Sequence, residues 1–259
     1  MPWRGDTTIR RNMRTASIML DPNGDTETFV RGFAPILHFH PEEGEYCCFP
    51  SDAEEVYARY GSDWSKFQDD LSPDELDPST PCYYEFWREP DMVQMKFWFW
   101  YNYNRFPAPF GVGRHIGDWE HVEVRWYFPE SANPGTLWLL SNHLGARLST
   151  EPSTLTLPGW APEPPLLDGL QIHVWVALGS HANYPSTQSR PRCYLRVWCD
   201  KMKDGGPVWN TMNGLKPLDD TNFAEFVGRW GTDKSPRGPR NPYNSRTRNA
   251  PLASPVHLQ

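Results

Sequence analysis

The chain has 259 residues, enough for one large domain, and carries 32 acidic and 25 basic residues for a net charge of -7. This negative balance argues against a general nucleic-acid-binding surface. The 27 prolines, with 13 Trp, 13 Phe and 11 Tyr, argue against long helices and favour strands joined by many turns. The composition therefore predicts an all-β or β-rich protein.

Cysteine usage and apolar runs bear on the compartment. The sequence contains no CxxC pair, so neither a disulfide framework nor a thiolate zinc site is predicted for its five cysteines. The first 20 residues lack the apolar run of a secretion signal, and no segment reaches the roughly 18 apolar residues of a membrane span. We expect a cytoplasmic protein without a transmembrane segment, although a secreted form with its signal removed has the same sequence.

Three regions are expected along the chain. Residues 1–30 are polar and without periodicity, which indicates a flexible arm or an added edge strand. Residues 31–242 are predicted to form a single β-sandwich domain, jelly-roll-like, with long loops and one or two short helices. Residues 243–259 are expected to be a disordered basic tail, because the basic concentration over 234–248 is rich in Pro and polar residues.

Within the domain, the best helix candidate is 51–70, where Ser51 or Asp52 is a capping residue and apolar side chains follow at spacings of four. A short amphipathic helical turn is predicted over 221–231, and a Pro-rich loop over 149–168. Strands are predicted over 33–52, 92–104, 118–128, 136–143, 172–181 and 193–199. The second of these has a wholly aromatic centre and is expected to be covered on both faces.

The segment GRHIGDWEHVEVRW, residues 113–126, carries the strongest functional signal. Strand alternation places Asp118 and Glu120 on one face, and Gly117 permits a turn that folds His115 back over them. One imidazole and two carboxylates form half of a shell for a divalent ion such as Mg, Ca, Mn or Zn. The alternative is a salt-bridged strand end neutralised by neighbouring arginines. We predict the metal site.

Other histidines and tryptophans supply further candidates. His38 and His40 form an HxH pair followed by Glu42, a pattern that can hold a second metal ion. His121, His143 and His181 are candidates for moving protons in catalysis. Tryptophans can line a ligand cavity, although most aromatic strands are core; the candidates are Trp98, Trp100 and Trp160.

Two families share motifs with this chain. The segments APILHFHPEE, GDWEHVEVR, VALGSHANYP, DGGPVWN and FVGRWG, spread over about residues 33–242, resemble the vacuolar protein sorting-associated protein 62 family. More distantly, residues 113–120 are similar to the Gly-His-Arg-His-Asp-Trp-Glu heptapeptide of the necrosis-inducing proteins.

The second resemblance implies a divalent ion on His115, Asp118 and Glu120 at the rim of a β-sandwich that docks on membrane sphingolipid headgroups. An upstream aspartate of that family has Asn102 or Asn104 as its nearest counterpart here. Gly117 occupies the position of the histidine that precedes the aspartate of the heptapeptide.

Three functions remain open at this stage. The leading one is a metal-assisted enzyme on a small, largely apolar molecule, by hydrolysis, dehydration, isomerisation or cyclisation. The alternative is a metal-organised module that binds a lipid headgroup or glycan without turnover. The third is a trafficking or scaffold protein whose histidine clusters are structural. An enclosed aromatic cavity favours the first, and a shallow exposed rim favours the second.

Overall fold

The structure is a computed structural model that describes residues 25–46, 48–67, 73–128, 137–141, 145–148 and 167–241. It is strand-rich, as predicted, with few and short helices. The α-helices are α1 (Thr26–Phe33), α2 (Glu43–Tyr46) and α3 (Ala53–Tyr60), and four 3-10 turns span Trp64–Lys66, Pro109–Gly111, Thr211–Gly214 and Leu218–Asp220. No helix within the described ranges has the length and apolar character needed to cross a membrane.

The larger sheet has six strands in the order β13-β2-β3-β4-β5-β6. Its two long central strands are antiparallel, and they contain the aromatic run and the acidic segment noted in the sequence. The bounds are β2 (Cys82–Arg88), β3 (Met92–Asn104), β4 (His115–Tyr127), β5 (Leu137–Ser141), β6 (Gly145–Leu148) and β13 (Leu215–Pro217). The predicted strand over 92–104 is confirmed to the residue, and the one over 118–128 begins three residues earlier than expected.

The smaller sheet runs β12-β1-β8-β7, with β9 also paired to β8. Among the described strands, neither sheet closes on itself. Its strands are β1 (Ile36–His38), β7 (Leu167–Asp168), β8 (Gln171–Val176), β9 (Asn183–Tyr184) and β12 (Val208–Asn210). A separate hairpin pairs β10 (Cys193–Tyr194) with β11 (Trp198–Cys199). The strand expected over 193–199 is thus two short strands, because the chain reverses at Leu195 and Arg196, which both have positive φ.

Two clusters of buried side chains cover opposite faces of the larger sheet. The first joins Phe97, Val122 and Val124 to the inward residues of the smaller sheet, such as Val174. The second, which we call the aromatic layer, packs residues of β2, β3 and β4 against α3 and the segment 218–230; its buried members are Ala53, Val56, Phe67, Tyr83, Trp98, Trp100, Trp119, Leu218, Phe223 and Trp230. Burial of β3 on both faces is therefore confirmed.

The helices follow from capping and burial. Asp52 Oδ1 accepts a hydrogen bond from the backbone N–H of Glu54 at 2.8 Å, so the predicted helix begins as expected. It ends at Tyr60, within the predicted range of 51–70. Residues 26–30 are not a flexible arm, because α1 is capped by Asp25 and buries Phe29, Val30 and Phe33. The predicted helical turn over 221–231 is wrong, since the helical turn ends at Asp220.

One further expectation needs correction. Cys193 and Cys199 form a disulfide, because the β10–β11 register brings their Cα atoms to 3.9 Å. Within the predicted domain, Arg240 pairs with Asp219, Glu225 and Glu85, so the described start of the basic segment lies along the surface of the fold. Predictions for residues 1–24, Cys47, the loop 149–166 and the tail beyond 241 lie outside the described residues.

Candidate functional site

A cavity of about 530 Å³ opens where β4 begins. The start of β4, the loop that precedes it and the β10–β11 hairpin form its walls. Its lining combines carboxylates, cations and aromatic rings: Asn104, Phe106, Phe110, Gly111, Val112, Gly113, Arg114, His115, Asp118, Glu120, Ser180, Arg192, Tyr194 and Lys234. His115, Asp118 and Glu120, singled out in the sequence, thus share one cavity.

Asp118 forms the floor of this cavity. Its Oδ2 atom accepts a hydrogen bond from Asn104 Nδ2 at 3.0 Å and faces His181 Nδ1 at 3.0 Å. Asn104 also donates to the backbone carbonyl of Ser180 at 3.2 Å. The end of β3 and the loop after β8 therefore hold this carboxylate in one orientation from two sides.

The pKa of Asp118 reflects these contacts. Burial acts to raise it, but the hydrogen bond from His181, the charges of His115 and His181 and the hydrogen bond from Asn104 together bring it below its usual value. Asp118 consequently presents a negative charge in the cavity at neutral pH.

His115 has a fixed tautomer. Its Nδ1 lies 2.7 Å from the carbonyl oxygen of Gly117. Because a carbonyl oxygen only accepts hydrogen bonds, Nδ1 carries the proton, and in the neutral ring Nε2 is an acceptor. His115 therefore brings one acceptor nitrogen to a cavity wall, in the orientation that metal-binding and ligand-binding histidines share.

His181 connects the floor to the interior. It is fully buried, and its ring stacks on Tyr101 with the centroids 3.8 Å apart. Its Nε2 atom lies 3.6 Å from Glu43 Oε1, and both oxygens of Glu43 accept from the backbone N–H of Gly179, at 3.1 and 3.2 Å. The imidazole is thus enclosed between two buried carboxylates, Glu43 and Asp118.

Gly117 permits the tight approach of β4 to the aromatic layer. Its φ is +70°, in the left-handed region, and a Cβ there lies 2.4 Å from the carbonyl oxygen of Trp230 and 2.6 Å from the ring of Trp100. A histidine, as the necrosis-inducing heptapeptide has at this position, has no room here.

The rim of the cavity is aromatic and partly exposed. Phe110 is 100% exposed, and Tyr194 at the base of the hairpin is 40% exposed. Tyr194 packs against Phe106 with centroids 5.1 Å apart, and the guanidinium of Arg192 lies over both rings. The disulfide between Cys193 and Cys199 closes the hairpin that carries this wall.

Cations stand beside the carboxylates. Arg114 Nε is buried and has no hydrogen-bond partner among the described residues. Arg192 Nε lies 3.5 Å from Asp200, whose carboxylate also accepts from Ser180 and Tyr184, at 2.6 and 2.5 Å. The Ser180 hydroxyl is therefore engaged with Asp200 within the wall of the cavity.

The predicted metal shell is not assembled in this arrangement. In the part of the chain that the structure describes, no three His, Cys, Asp or Glu side chains converge closely enough to hold an ion. Asn104 and His181 both contact Oδ2 of Asp118. The ligand set of His115, Asp118 and Glu120 stays a prediction.

A Cys-His-Asp series runs from Asp118 at the cavity floor into the interior. Cys48 Sγ is 3.7 Å from His181 Nε2, and His181 contacts Asp118 through Nδ1. This order of groups matches that of thiol nucleophiles. Cys48 is fully buried, donates to the carbonyl of Tyr103 at 2.8 Å and does not line the cavity. The series therefore has the geometry of a nucleophile without access to a substrate.

Several other residues predicted to act in the site lie outside the cavity lining. His121 lies on the opposite face of β4 from Asp118, with its ring 4.8 Å from that of Trp98. Trp98 and Trp100 belong to the aromatic layer, at 2% and 0% exposure, so the prediction that they line a ligand cavity does not hold for this one. Asn102 accepts hydrogen bonds from Trp100 Nε1 and from Ser51.

The HxH pair is divided. His40 is buried, and its Nδ1 accepts from the backbone N–H of Glu42 at 3.2 Å. His38 lies against His173 of β8, with 2.7 Å between His38 Nε2 and His173 Nδ1. Glu42 is exposed, whereas its neighbour Glu43 reaches the interior. His143 and Trp160 lie outside the described residues.

Several cavity residues were not singled out in the sequence. Tyr194, Arg192 and Lys234 reach the site through the β10–β11 hairpin and the folded segment after 230. The pair of cysteines six residues apart was the one signal for the hairpin. Glu43, directly after the HxH motif, was the signal for the buried partner of His181.

Comparison with known proteins gives distant structural matches only. No protein-family model and no curated protein matches the chain. Solved structures that match include Necrosis and Ethylene inducing Protein 2 from the causal agent of cocoa's witches' broom disease, with 10% identity, 79% of each chain covered and a TM-score of 0.42. The non-toxic HaNLP3 protein has 12% identity, 79% of this chain and 80% of that chain covered, and a TM-score of 0.42.

NLPPya in complex with mannosamine also matches, with 12% identity, 79% of each chain covered and a TM-score of 0.40. Necrosis-inducing proteins are thus among the matches, whereas the resemblance to the vacuolar protein sorting-associated protein 62 family finds no support. At these TM-scores the similarity carries no inference about ligand or activity.

Proposed function

We propose that this protein is a binding module whose cavity takes a hydroxylated, amine-bearing headgroup of a glycan or glycolipid, without turnover. The observation that carries the proposal is the makeup of the cavity. The carboxylates of Asp118 and Glu120, the acceptor nitrogen of His115 and the guanidinium of Arg114 line one space of about 530 Å³. Ligand sites of this size fix a polar ligand with a few placed polar groups.

The charges favour a ligand with both hydroxyls and an ammonium group. An ionised carboxylate accepts hydrogen bonds only, so Asp118 suits hydroxyl and ammonium donors. Glu120 adds carboxyl oxygens that can accept from the same donors. Arg114 supplies donors to the ring and hydroxyl oxygens of the same ligand. The partly exposed ring of Tyr194 provides an apolar surface for the carbon face of a sugar ring.

The surroundings of the cavity favour binding over catalysis. Nucleophilic catalysis needs a hydroxyl or thiol with an adjacent base that faces the substrate. The Ser180 hydroxyl donates to Asp200 at 2.6 Å, and Cys48 is buried outside the cavity lining. This argues against a covalent nucleophile among the described residues of the cavity and is consistent with a binding function.

The test is calorimetric titration with glucosamine, with glucose and N-acetylglucosamine as ligands that lack the free amine. Glucosamine is expected to bind most tightly. Asp118→Asn and Glu120→Gln are each expected to weaken its binding at least about tenfold, because a hydrogen bond to a charged group contributes about 1.5–3 kcal/mol. Glu89→Gln, an exposed carboxylate outside the cavity, is the matched control.

Two further arms separate the alternatives. Co-sedimentation with vesicles that carry an amino-sugar glycolipid distinguishes a membrane source from a free glycan. Repeating both assays with EDTA tests the predicted divalent ion: unchanged binding supports direct recognition, and loss of binding restores the metal site. Equal affinity for glucose and glucosamine, or no effect of the two carboxylate variants, refutes the proposed ligand class.

A further inference from the structure

The outer face of the smaller sheet carries a pair of histidines that lies apart from the cavity. In β1, Leu37 faces the core, and in β8 Ile172 and Val174 do so. Because strand side chains alternate, His38 and His173 lie on the opposite face. Both are partly exposed. We infer that His38 and His173 form a binding site for a divalent transition-metal ion, with copper(II) favoured because it binds nitrogen ligands most tightly among the divalent first-row ions.

The sheet fixes the spacing of the pair. β1 and β8 are parallel, with Ile36 opposite His173 and His38 opposite Trp175. The two histidines are therefore diagonal neighbours on adjacent strands. Their ring centroids are 5.0 Å apart, and His38 Nε2 lies 2.7 Å from His173 Nδ1. Two ring nitrogens are thus brought together by backbone pairing rather than by a flexible loop.

Neighbouring groups support the rings. The indole of Trp175 stacks on His38 at 4.9 Å between centroids, and Trp175 Nε1 donates to Asp204 Oδ1 at 2.6 Å. The indole is held by this hydrogen bond and limits the rotation of His38. Such support from a second layer of residues is what orients metal-binding histidines.

Two carboxylates contribute charge near the pair. The charge of Asp204 acts on His38, and the charge of Asp168 acts on His173. Neutral imidazole is the form that binds metals, and the two aspartates add attraction for a cation.

The contact between the two nitrogens is a hydrogen bond of 2.7 Å, in which one ring donates and the other accepts. A bound ion takes the place of the shared proton, because a metal ligand must be deprotonated. Among the divalent first-row ions, Cu²⁺ binds nitrogen ligands most tightly. Copper(II) is therefore the ion that the pair is expected to bind.

The experiment is a titration of the full chain with Cu²⁺ in a non-chelating buffer at pH 7.5, followed by calorimetry and electron paramagnetic resonance. The expected result is one site with coupling to two nitrogens, and with weaker binding of Ni²⁺ and Zn²⁺. His38→Gln and His173→Gln are each expected to weaken the Kd for Cu²⁺ at least tenfold. His115→Gln, which changes the histidine in the cavity, is expected to leave it unchanged.

Each other outcome overturns the inference. A wild-type Kd in either His38→Gln or His173→Gln shows that the pair does not hold the ion, and loss of binding in His115→Gln alone places the ion in the cavity. The resonance spectrum of the unaltered protein is independent of how the variants fold, and coupling to fewer than two nitrogens also refutes the site.

Discussion

Substitution of Gly117 tests how tightly the functional strand is packed. In Gly117→Ala, two costs add. An L-residue at φ +70° costs about 1–2 kcal/mol. The new Cβ also lies 2.4 Å from the Trp230 carbonyl oxygen and 2.6 Å from the Trp100 ring, and such overpacking costs about 1–3 kcal/mol. We expect the free energy of unfolding to fall by about 2–5 kcal/mol.

Gly169 provides a control that separates the two costs. It has a similar φ of +63°, but a Cβ there meets nothing within 4 Å. Gly169→Ala should therefore show the backbone cost alone, about 1–2 kcal/mol. Urea unfolding followed by tryptophan fluorescence measures both variants, and the difference between them is the steric cost at Gly117.

An equal loss of stability in the two variants would refute the reasoning, because it would mean that the wall formed by Trp230 and Trp100 yields freely. The same experiment has a functional readout. The carbonyl of Gly117 accepts the hydrogen bond from His115, so a shift of this backbone is expected to weaken ligand binding as well as stability.

Three further predictions concern single contacts. The pKa of Asp118 is lowered in the folded protein, so its ionised form stabilises the fold at pH values above the usual pKa of 3.8, and this stabilisation is lost as the pH falls through the folded pKa. In Asp118→Asn, the free energy of unfolding should therefore depend less on pH below pH 4, as measured by unfolding at a series of acidic pH values. An unchanged pH dependence in that range would contradict this prediction. Asp52→Ala removes the cap of α3 and the acceptor of Tyr83, and should cost about 1–3 kcal/mol in urea unfolding, with Tyr83→Phe as the partial control. Cys193→Ser should lower the unfolding free energy by about 2 kcal/mol; a matching value in Cys199→Ser, and no additional loss in the double variant, would identify the disulfide as the cause.

Local patterns in the sequence predict the central strands well. The aromatic run of β3 and the alternation in β4 are strong sequence signals because both faces of the larger sheet are buried. The type of nearly every side chain in these strands therefore reflects its burial. The cap at Asp52 follows for a similar reason, since a carboxylate that accepts from a backbone N–H two residues on is a local interaction.

Contacts between distant segments explain what the sequence did not predict. The sequence suggested His40, two residues away, as the partner of His38, but the partner is His173, 135 residues away. The parallel pairing of β1 with β8 brings them together, and the sequence of neither strand indicates this pairing. The hairpin at Cys193 was interpreted as one strand because its turn uses Leu195 and Arg196, which are not typical turn residues.

The candidate site shows the same division. The shared cavity of His115, Asp118 and Glu120 follows from their spacing along one segment. Their chemistry does not, because it depends on residues that arrive from elsewhere, above all His181 and Asn104. A motif gives the positions of the side chains. Which ligand they can bind depends on the hydrogen bonds that they already make with other residues.

The enclosure of His181 has a consequence for how this protein can change. Tyr101 and Asp118 belong to the larger sheet, while His181 follows a strand of the smaller one, so a single ring joins the two layers at the base of the cavity. A substitution at that base is expected to weaken the packing between the two sheets, whereas the hairpin and the exposed Phe110 take no part in this contact. Substitutions that change which ligands the cavity accepts are therefore expected to be tolerated at its rim and not at its floor.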